Sequence, residues 1–142
     1  MSVTFWIPDA PRVKVECDFC RDYGTPERHG GKCSPWCTGE RLESTAPEAN
    51  FSNYNAYGVL ALLGLGTEEP CGSLAHKDIP KVLQQLMLVC ETDRISYLDQ
   101  PPSNEGRVIY GGNTSEDTRR RLEAVRAVLD AAAKGGWKVV WG

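Results

Sequence analysis

Alternating hydrophobic and polar positions near the N-terminus predict two short β-strands. The first covers residues 3–7, and the second covers residues 12–16, where Val13 and Val15 alternate with charged residues. Such alternation is typical of strands that bury one face. Pro8 and Pro11 lie between the two segments and favour a turn there, because proline cannot donate a hydrogen bond to a sheet ladder.

Hydrophobic residues at helical spacing predict two helices in the middle of the chain. The first covers residues 52–63, capped by Ser52 or Asn53, and apolar residues surround most of its circumference, which favours a largely buried helix. The second covers residues 79–90, with a cap at Asp78. Its inward stripe is predicted to be Ile79, Val82, Leu83, Leu86, Met87 and Cys90.

The last third of the chain has the clearest local pattern. Residues 107–110 are a strand candidate, a helix follows from Thr114 or Ser115, and residues 137–141 form a closing strand candidate. Thr114 and Asp117 have the spacing of a capping box. A strand, a helix and a strand within about thirty-five residues predict a βαβ unit with a right-handed parallel crossover.

Together these patterns predict an α+β fold. We expect an N-terminal lobe over residues 1–49, followed by a three-helix, small-sheet domain over residues 50–142 that ends in the βαβ unit. The N-terminal and C-terminal strands are expected to share the small sheet.

Composition adds only broad limits to this picture. The chain has 142 residues, of which 41% are hydrophobic and 25% are charged, as in an ordinary globular domain. The net charge of -3 supplies no general basic surface, so we do not expect a nucleic-acid partner. The sequence shows no secretory signal and no run of ~20 apolar residues, so we expect a cytoplasmic protein with no membrane partner. In a reducing compartment its six cysteines favour metal ligands or buried thiols.

Four cysteines form the strongest candidate for chemistry. They follow the pattern Cys17-x2-Cys20-x12-Cys33-x3-Cys37. Two close pairs can bring four thiolates onto one tetrahedral ion at ~2.3 Å, so we predict a structural zinc site. The second pair is one residue wider than the common C-x2-C spacing. Free or oxidisable thiols and an iron–sulfur cluster are the alternatives, although the spacing is not that of a ferredoxin.

The same cysteine segment resembles the knuckles of zinc ribbons and treble clefs. That resemblance implies a closed, non-catalytic zinc ion and no particular substrate. The run at residues 50–56, its continuation at residues 60–65, and the ending at residues 139–142 are similar to small uncharacterised proteins of bacteria and their phages. This second resemblance implies a bacterial or phage origin and no activity.

The remaining two cysteines are weaker candidates. Cys90 falls on the predicted inward stripe, where a packed thiol is expected. Cys71 lies five residues before His76, so a Cys–His nucleophile pair is conceivable. No third, orienting group has a recognisable spacing, and we therefore expect no catalytic residue here.

The turn before the last helix is a candidate ligand site. Backbone N–H groups at a helix N-terminus can bind a phosphate or a carboxylate. The sequence matches neither of the common nucleotide-binding loops, and a tight turn followed by a helix cap needs the same residue types. The candidate ligand-binding residues are Gly111, Gly112, Asn113, Thr114 and Ser115.

These observations lead to a hypothesis for function. We expect a non-enzymatic, zinc-stabilised interaction module whose zinc lobe and aromatic surface contact another protein or further copies of the chain. One alternative is a protein that binds a small ligand or nucleotide at the turn of residues 111–115. Another is nucleic-acid binding through local positive charge in the zinc lobe, from Arg12, Lys14, Arg21, Arg28 and Lys32.

Overall fold

The computed structural model of the chain describes residues 2–23, 37–69, 71–92, 95, 103–105, 108–110 and 114–142. The fold is mixed α and β with open antiparallel sheets, and the described residues contain four α-helices. A short 3-10 turn at His76–Asp78 precedes the third helix. In chain order the elements are β1 Ser2–Trp6, β2 Arg12–Glu16, α1 Asp18–Tyr23, β3 Glu40–Ser44, β4 Ala49–Ser52, α2 Asn53–Leu62, β5 Gly72–Leu74, α3 Ile79–Glu91, β6 Ser103–Glu105, β7 Val108–Tyr110, α4 Ser115–Gly135 and β8 Val139–Trp141.

The chain divides into two compact units. The larger unit consists of Met1–Asp9 and Ala46–Gly142, and the smaller unit is Ala10–Thr45. The predicted division of the chain into an N-terminal lobe, residues 1–49, and a second domain, residues 50–142, stays a prediction.

A four-stranded antiparallel sheet forms the frame of the larger unit, with strand order β4-β1-β8-β5. The expected pairing of N-terminal and C-terminal strands is therefore confirmed for β1 and β8, whereas β2 lies in a separate sheet with β3. Phe5 of β1 lies opposite Ala49 of β4 on one side and Trp141 of β8 on the other, and Trp141 lies opposite Gly72 of β5. Directly opposed residues share a face, so one row of side chains crosses the whole sheet.

Three helices complete the hydrophobic core of the larger unit. α2 and α4 pack on the sheet, and α3 packs against α4. The buried side chains of these helices follow helical spacing, which is why the sequence pattern predicted all three. They include Val59 and Leu60 of α2, Ile79, Val82, Leu86 and Val89 of α3, and Leu122, Val125, Val128, Leu129 and Ala132 of α4.

Two details of these helices differ from the predictions. α2 is not buried all round, because Tyr54 is 63% exposed. In α3 the inward stripe includes Val89, whereas Met87, which was predicted to face inward, is 51% exposed. Positions 87 and 89 lie on opposite borders of the stripe, and packing against α4 rather than spacing decides which border is covered.

The predicted βαβ unit is wrong in its strand pairing. β7 forms an antiparallel hairpin with β6, and β8 pairs antiparallel with β1 and β5. A hairpin between nearby segments closes at little entropic cost, whereas a parallel crossover must order a long connection first. The helix itself is confirmed, with Thr114 as its N-cap and Gly136 as a left-handed C-cap at φ 73°.

Across the part of the chain that the structure describes, no helix is long and apolar enough to cross a membrane.

Candidate metal centre

A β-hairpin forms the frame of the smaller unit. β2 and β3 pair antiparallel from Arg12 opposite Ser44 to Glu16 opposite Glu40. The hairpin ladder continues at one end, where the Thr45 backbone N–H and hydroxyl both donate to the Pro11 carbonyl at 3.0 and 2.9 Å.

The opposite end of the hairpin positions the cysteines. Cys17 directly follows β2, Cys20 lies on α1, and Cys37 lies shortly before β3. The Cys17 N–H donates to the Gly39 carbonyl at 3.0 Å, so the two chain segments that carry these cysteines are held side by side. The Cys20 N–H donates back to the Cys17 carbonyl at 2.9 Å, which turns the chain so that both side chains point to the same region.

Three sulfur atoms converge at this end of the hairpin. The Sγ atoms of Cys17, Cys20 and Cys37 all lie within 4.8 Å of one another, and those of Cys20 and Cys37 are 3.4 Å apart. Four sulfurs bound tetrahedrally at 2.3 Å would be separated by about 3.8 Å. A disulfide would require about 2.05 Å. The three cysteines can therefore hold a metal ion.

The backbone after Cys37 supports a negatively charged sulfur. The Gly39 N–H donates to Cys37 Sγ at 3.3 Å. Gly39 adopts φ 85°, a left-handed conformation that glycine tolerates best. A backbone N–H directed at a sulfur favours the thiolate, which is the form that binds metals. Sequence reasoning did not identify Gly39 as part of the site, although a glycine two residues after the last cysteine was visible.

Charged side chains fix the surroundings of the cluster. Arg41 of β3 forms an ion pair with Asp18 of α1 at 2.8 Å, and Lys14 pairs with Glu40 at 3.1 Å. These side chains are about half exposed or more, so each pair contributes at most about 1 kcal/mol. The Arg41–Asp18 pair links α1, which carries Cys20, to the hairpin, whereas the Lys14–Glu40 pair links the two strands of the hairpin.

The smaller unit has little hydrophobic core of its own. Among its described side chains only Ala10 is buried, whereas the three cysteines of the cluster are half-buried. An isolated two-stranded hairpin is at best marginally stable in water. A metal cross-link would supply the stabilisation that apolar burial does not.

The structure brings together three of the four predicted zinc ligands. The fourth, Cys33, lies outside the described residues. The other two cysteines are elsewhere in the fold. Cys71 is exposed and donates from Sγ to Glu69 at 3.6 Å, and half-buried Cys90 accepts a bond at its carbonyl from Arg119 at 3.2 Å.

Cys71 and His76, the conceivable Cys–His pair, have no described contact with each other. His76 Nε2 lies 3.2 Å from the Ala133 carbonyl, while Cys71 is bonded to Glu69. Each side chain therefore has a different partner in these contacts, and the absence of a catalytic residue here stays a prediction.

The predicted ligand site at the last helix is described only in part. Gly111, Gly112 and Asn113 lie outside the described residues. The Thr114 hydroxyl accepts from the Asp117 N–H at 3.1 Å and donates to the Asp117 carboxylate at 2.9 Å. The hydroxyl bond from Thr114, with smaller contributions from the charges of Arg120 and Arg121, lowers the pKa of Asp117. Thr114 thus acts as a helix cap, and a ligand role for this turn, including Ser115, stays a prediction.

Comparisons with known proteins give no relative for this chain: no family model matches it, and neither the curated proteins nor the solved structures searched include a match. Its assignment therefore depends on the geometry and chemistry of its own residues.

Proposed function

We propose that the smaller unit binds one structural zinc ion and acts as a protein-interaction module rather than as an enzyme. The ligands are Cys17, Cys20 and Cys37, with Cys33 as the fourth. The observation that carries this proposal is the convergence of three cysteine sulfurs at the end of a hairpin that has almost no core.

The donor set favours zinc over other metals. Thiolates are soft ligands that select zinc, copper(I) or iron–sulfur clusters, and they bind magnesium and calcium poorly. A site with four cysteines is closed, leaving no position for a substrate or an activated water. Zinc bound in this way contributes directly to folding, because the site does not exist in the unfolded chain.

Exposed apolar side chains support a role in protein binding. Leu42 of β3 is 62% exposed, and Val13 of β2 and Phe19 of α1 are exposed as well. All three belong to the smaller unit, next to the proposed zinc ligands in the chain. Aromatic residues such as Phe19 are enriched in protein interfaces, and Leu42 and Val13 add exposed apolar surface in the same unit.

The charges of the hairpin support a protein partner over a nucleic acid. β2 and β3 together carry three basic and three acidic residues. Lys14, a basic candidate for phosphate contact, forms an ion pair with Glu40. Counterion release from nucleic acid needs unneutralised basic charge, which the described strands do not provide. Arg28 and Lys32, two further candidates, lie outside the described residues, and no side-chain position is described for Arg21.

Metal binding is tested by native mass spectrometry before and after chelation. We expect one zinc ion per chain, lost on chelation, and lost in the Cys17→Ser and Cys37→Ser variants. Cys71→Ser is the matched control, because Cys71 is exposed and lies outside the cluster. A chain without metal, or one that keeps its zinc in Cys17→Ser and Cys37→Ser, would contradict the proposal.

The same spectra test the interaction. A discrete oligomer that retains zinc but dissociates in Leu42→Ser would identify a second copy as the partner. A zinc-bound monomer would leave a different protein as the partner. A reproducible turnover that requires a residue of the smaller unit would contradict a non-enzymatic role.

A further inference from the structure

A cavity of about 440 Å³ lies in the larger unit, between α2 and the first turns of α4. This volume is in the range of small-molecule sites and equals the space of about fifteen water molecules. Its lining residues come mainly from one side of α2 and from two positions of α4.

Small side chains on α2 leave this space open. Tyr54, Gly58 and Ala61 follow one another at intervals of four and three residues, so they share a helix face. Glycine and alanine occupy little volume on that face, while Tyr54 and Tyr57 contribute aromatic walls. An aromatic wall beside two small residues suits a flat, apolar ring.

Two polar residues of α4 line the same cavity. Thr118 is only 2% exposed and is the one buried polar side chain among the described residues. A hydroxyl can donate one bond and accept two, so a partner within the protein does not exhaust its capacity. Arg121, which is half-buried, also lines the cavity and brings a permanent positive charge. A few polar groups in an apolar pocket are what fixes a ligand's orientation.

A second cavity, of about 410 Å³, shares Arg121 and Asn55 with the first. Its further polar lining comes from Asn50, Ser52 and Arg120, and no described acidic residue lines it. Arg120 is partly neutralised by its ion pair with Asp117 at 3.1 Å, and the charge of Arg121 also acts on that carboxylate. Arg121 therefore lines both a mainly apolar cavity and a more polar one.

We propose that these two cavities, which share Arg121, bind a small aromatic anion. The ring occupies the compartment lined by Tyr54, Tyr57 and Ala61, and a carboxylate or phosphate contacts the Arg121 guanidinium. Arg121 suits either group, because its planar fork matches both carboxylate and phosphate oxygens. This site is separate from the proposed zinc ligands, and its test does not depend on the interaction role.

The proposal is tested by titrating the isotope-labelled, full-length chain and following its amide signals by NMR. The probes are benzoate, 2-naphthoate, phenyl phosphate and 2-naphthyl phosphate, with benzamide and 2-naphthamide as neutral counterparts. We expect saturable shifts at residues 57–61 and 118–121, with the anions binding about fivefold or more tightly than the amides. Comparing carboxylates with phosphates identifies the preferred anionic group.

Two variants with matched controls locate the binding. Arg121→Gln should remove the preference for anions, whereas Arg126→Gln on the same helix should not. Ala61→Leu should fill the cavity and weaken every ring probe about tenfold or more. Ala127→Leu is its control, because Ala61 and Ala127 are both exposed helix positions and Ala127 lines neither cavity.

Three outcomes would overturn the proposal. The first is that no probe gives a saturable shift at concentrations up to about 10 mM. The dissociation constant would then be higher than we expect for a fragment-sized ligand in its own site. The second is equal binding of anions and amides. The third is binding that neither Arg121→Gln nor Ala61→Leu changes while circular dichroism shows both variants to be folded.

Discussion

Phe5 and Trp141 lie directly opposite each other on β1 and β8, and their rings stack with centroids 5.7 Å apart and 27° between planes. Both side chains are buried. The contact joins a strand near the beginning of the chain to one at its end, so it closes the central pair of the larger unit's sheet. Contacts of such large sequence separation slow folding, because the entropy of closing a long loop is lost before the contact forms.

This stacking should be measurable as a coupling energy. Phe5→Leu and Trp141→Leu should each lower the free energy of unfolding by about 1–3 kcal/mol. Because each variant already loses the ring contact, the double variant should lose about 0.5–1.5 kcal/mol less than the sum. Urea unfolding followed by circular dichroism gives all four values. Strict additivity would show that the rings contribute only by burial.

Gly72 is predicted to be intolerant of a side chain. A Cβ at this position would lie 2.7 Å from Cε2 of Trp141, whose buried ring has little room to move. Gly72→Ala should therefore lower the free energy of unfolding by about 1–3 kcal/mol. Gly66→Ala is the matched control, since nothing lies within 4 Å of its added Cβ, and it should be neutral or slightly stabilising. Equal effects of the two variants in thermal unfolding would contradict this explanation.

The cap of α4 should contribute to the stability of the larger unit. Thr114→Ala removes the hydroxyl that accepts from the Asp117 N–H and should cost about 1 kcal/mol in urea unfolding. Thr114→Ser keeps the hydroxyl and should retain most of that stability. If both variants lose the same amount, the contribution comes from the threonine methyl group rather than from the cap.

Asp117 should make stability depend on pH in the acid range. Its folded pKa is lowered from 3.8, chiefly by the Thr114 hydroxyl bond. A lowered folded pKa stabilises the fold at pH values above 3.8, and this contribution is lost as the pH falls through the folded pKa. The stability difference between the intact chain and Asp117→Asn should therefore shrink as the pH is lowered. NMR titration provides the check: the pKa of Asp117 should rise in Thr114→Ala, and a value at or above 3.8 in the intact chain would refute the prediction.

Gly39 should affect metal affinity without being a ligand. Gly39 has a φ of 85°, a conformation that would cost alanine about 1–2 kcal/mol. The N–H of this same residue donates to Cys37 Sγ, so a change in its backbone conformation would disturb the site. We expect Gly39→Ala to weaken zinc binding about tenfold in competition with a chromophoric chelator. Gly64→Ala, at φ 68° in the larger unit, is the control and should leave zinc affinity unchanged. A loss of affinity in both variants would indicate a global effect.

The sequence predicted those parts of the fold that local patterns control. Helical spacing and caps located α2, α3 and α4 to within about two residues, since the apolar stripe and the cap residues act within each helix. Strand pairing was harder, because β8, the predicted partner of β7, already has β1 and β5 on its two sides. Nothing within residues 107–141 carries that information.

Of the two candidate sites, the sequence identified the cysteine cluster but not the cavity. The spacing of the cysteines identified Cys17, Cys20 and Cys37 in advance, because ligand type and turn length are properties of the sequence. The cavity beside Tyr54 could not be predicted, because an apolar helix face looks the same whether a neighbour covers it or leaves it open.

The smaller unit is inserted between two strands that are immediate neighbours in the main sheet. β1 ends at Trp6 and β4 begins at Ala49, and the two pair antiparallel from Ser2 opposite Ser52 to Phe5 opposite Ala49. In topological terms, Ala10–Thr45 replaces the turn of a β-hairpin. Doubling the length of such a connection costs only about 0.6 kcal/mol in loop entropy. The unit that carries the three clustered cysteines could thus be lengthened, replaced or deleted during evolution while every residue of β1 kept its partner.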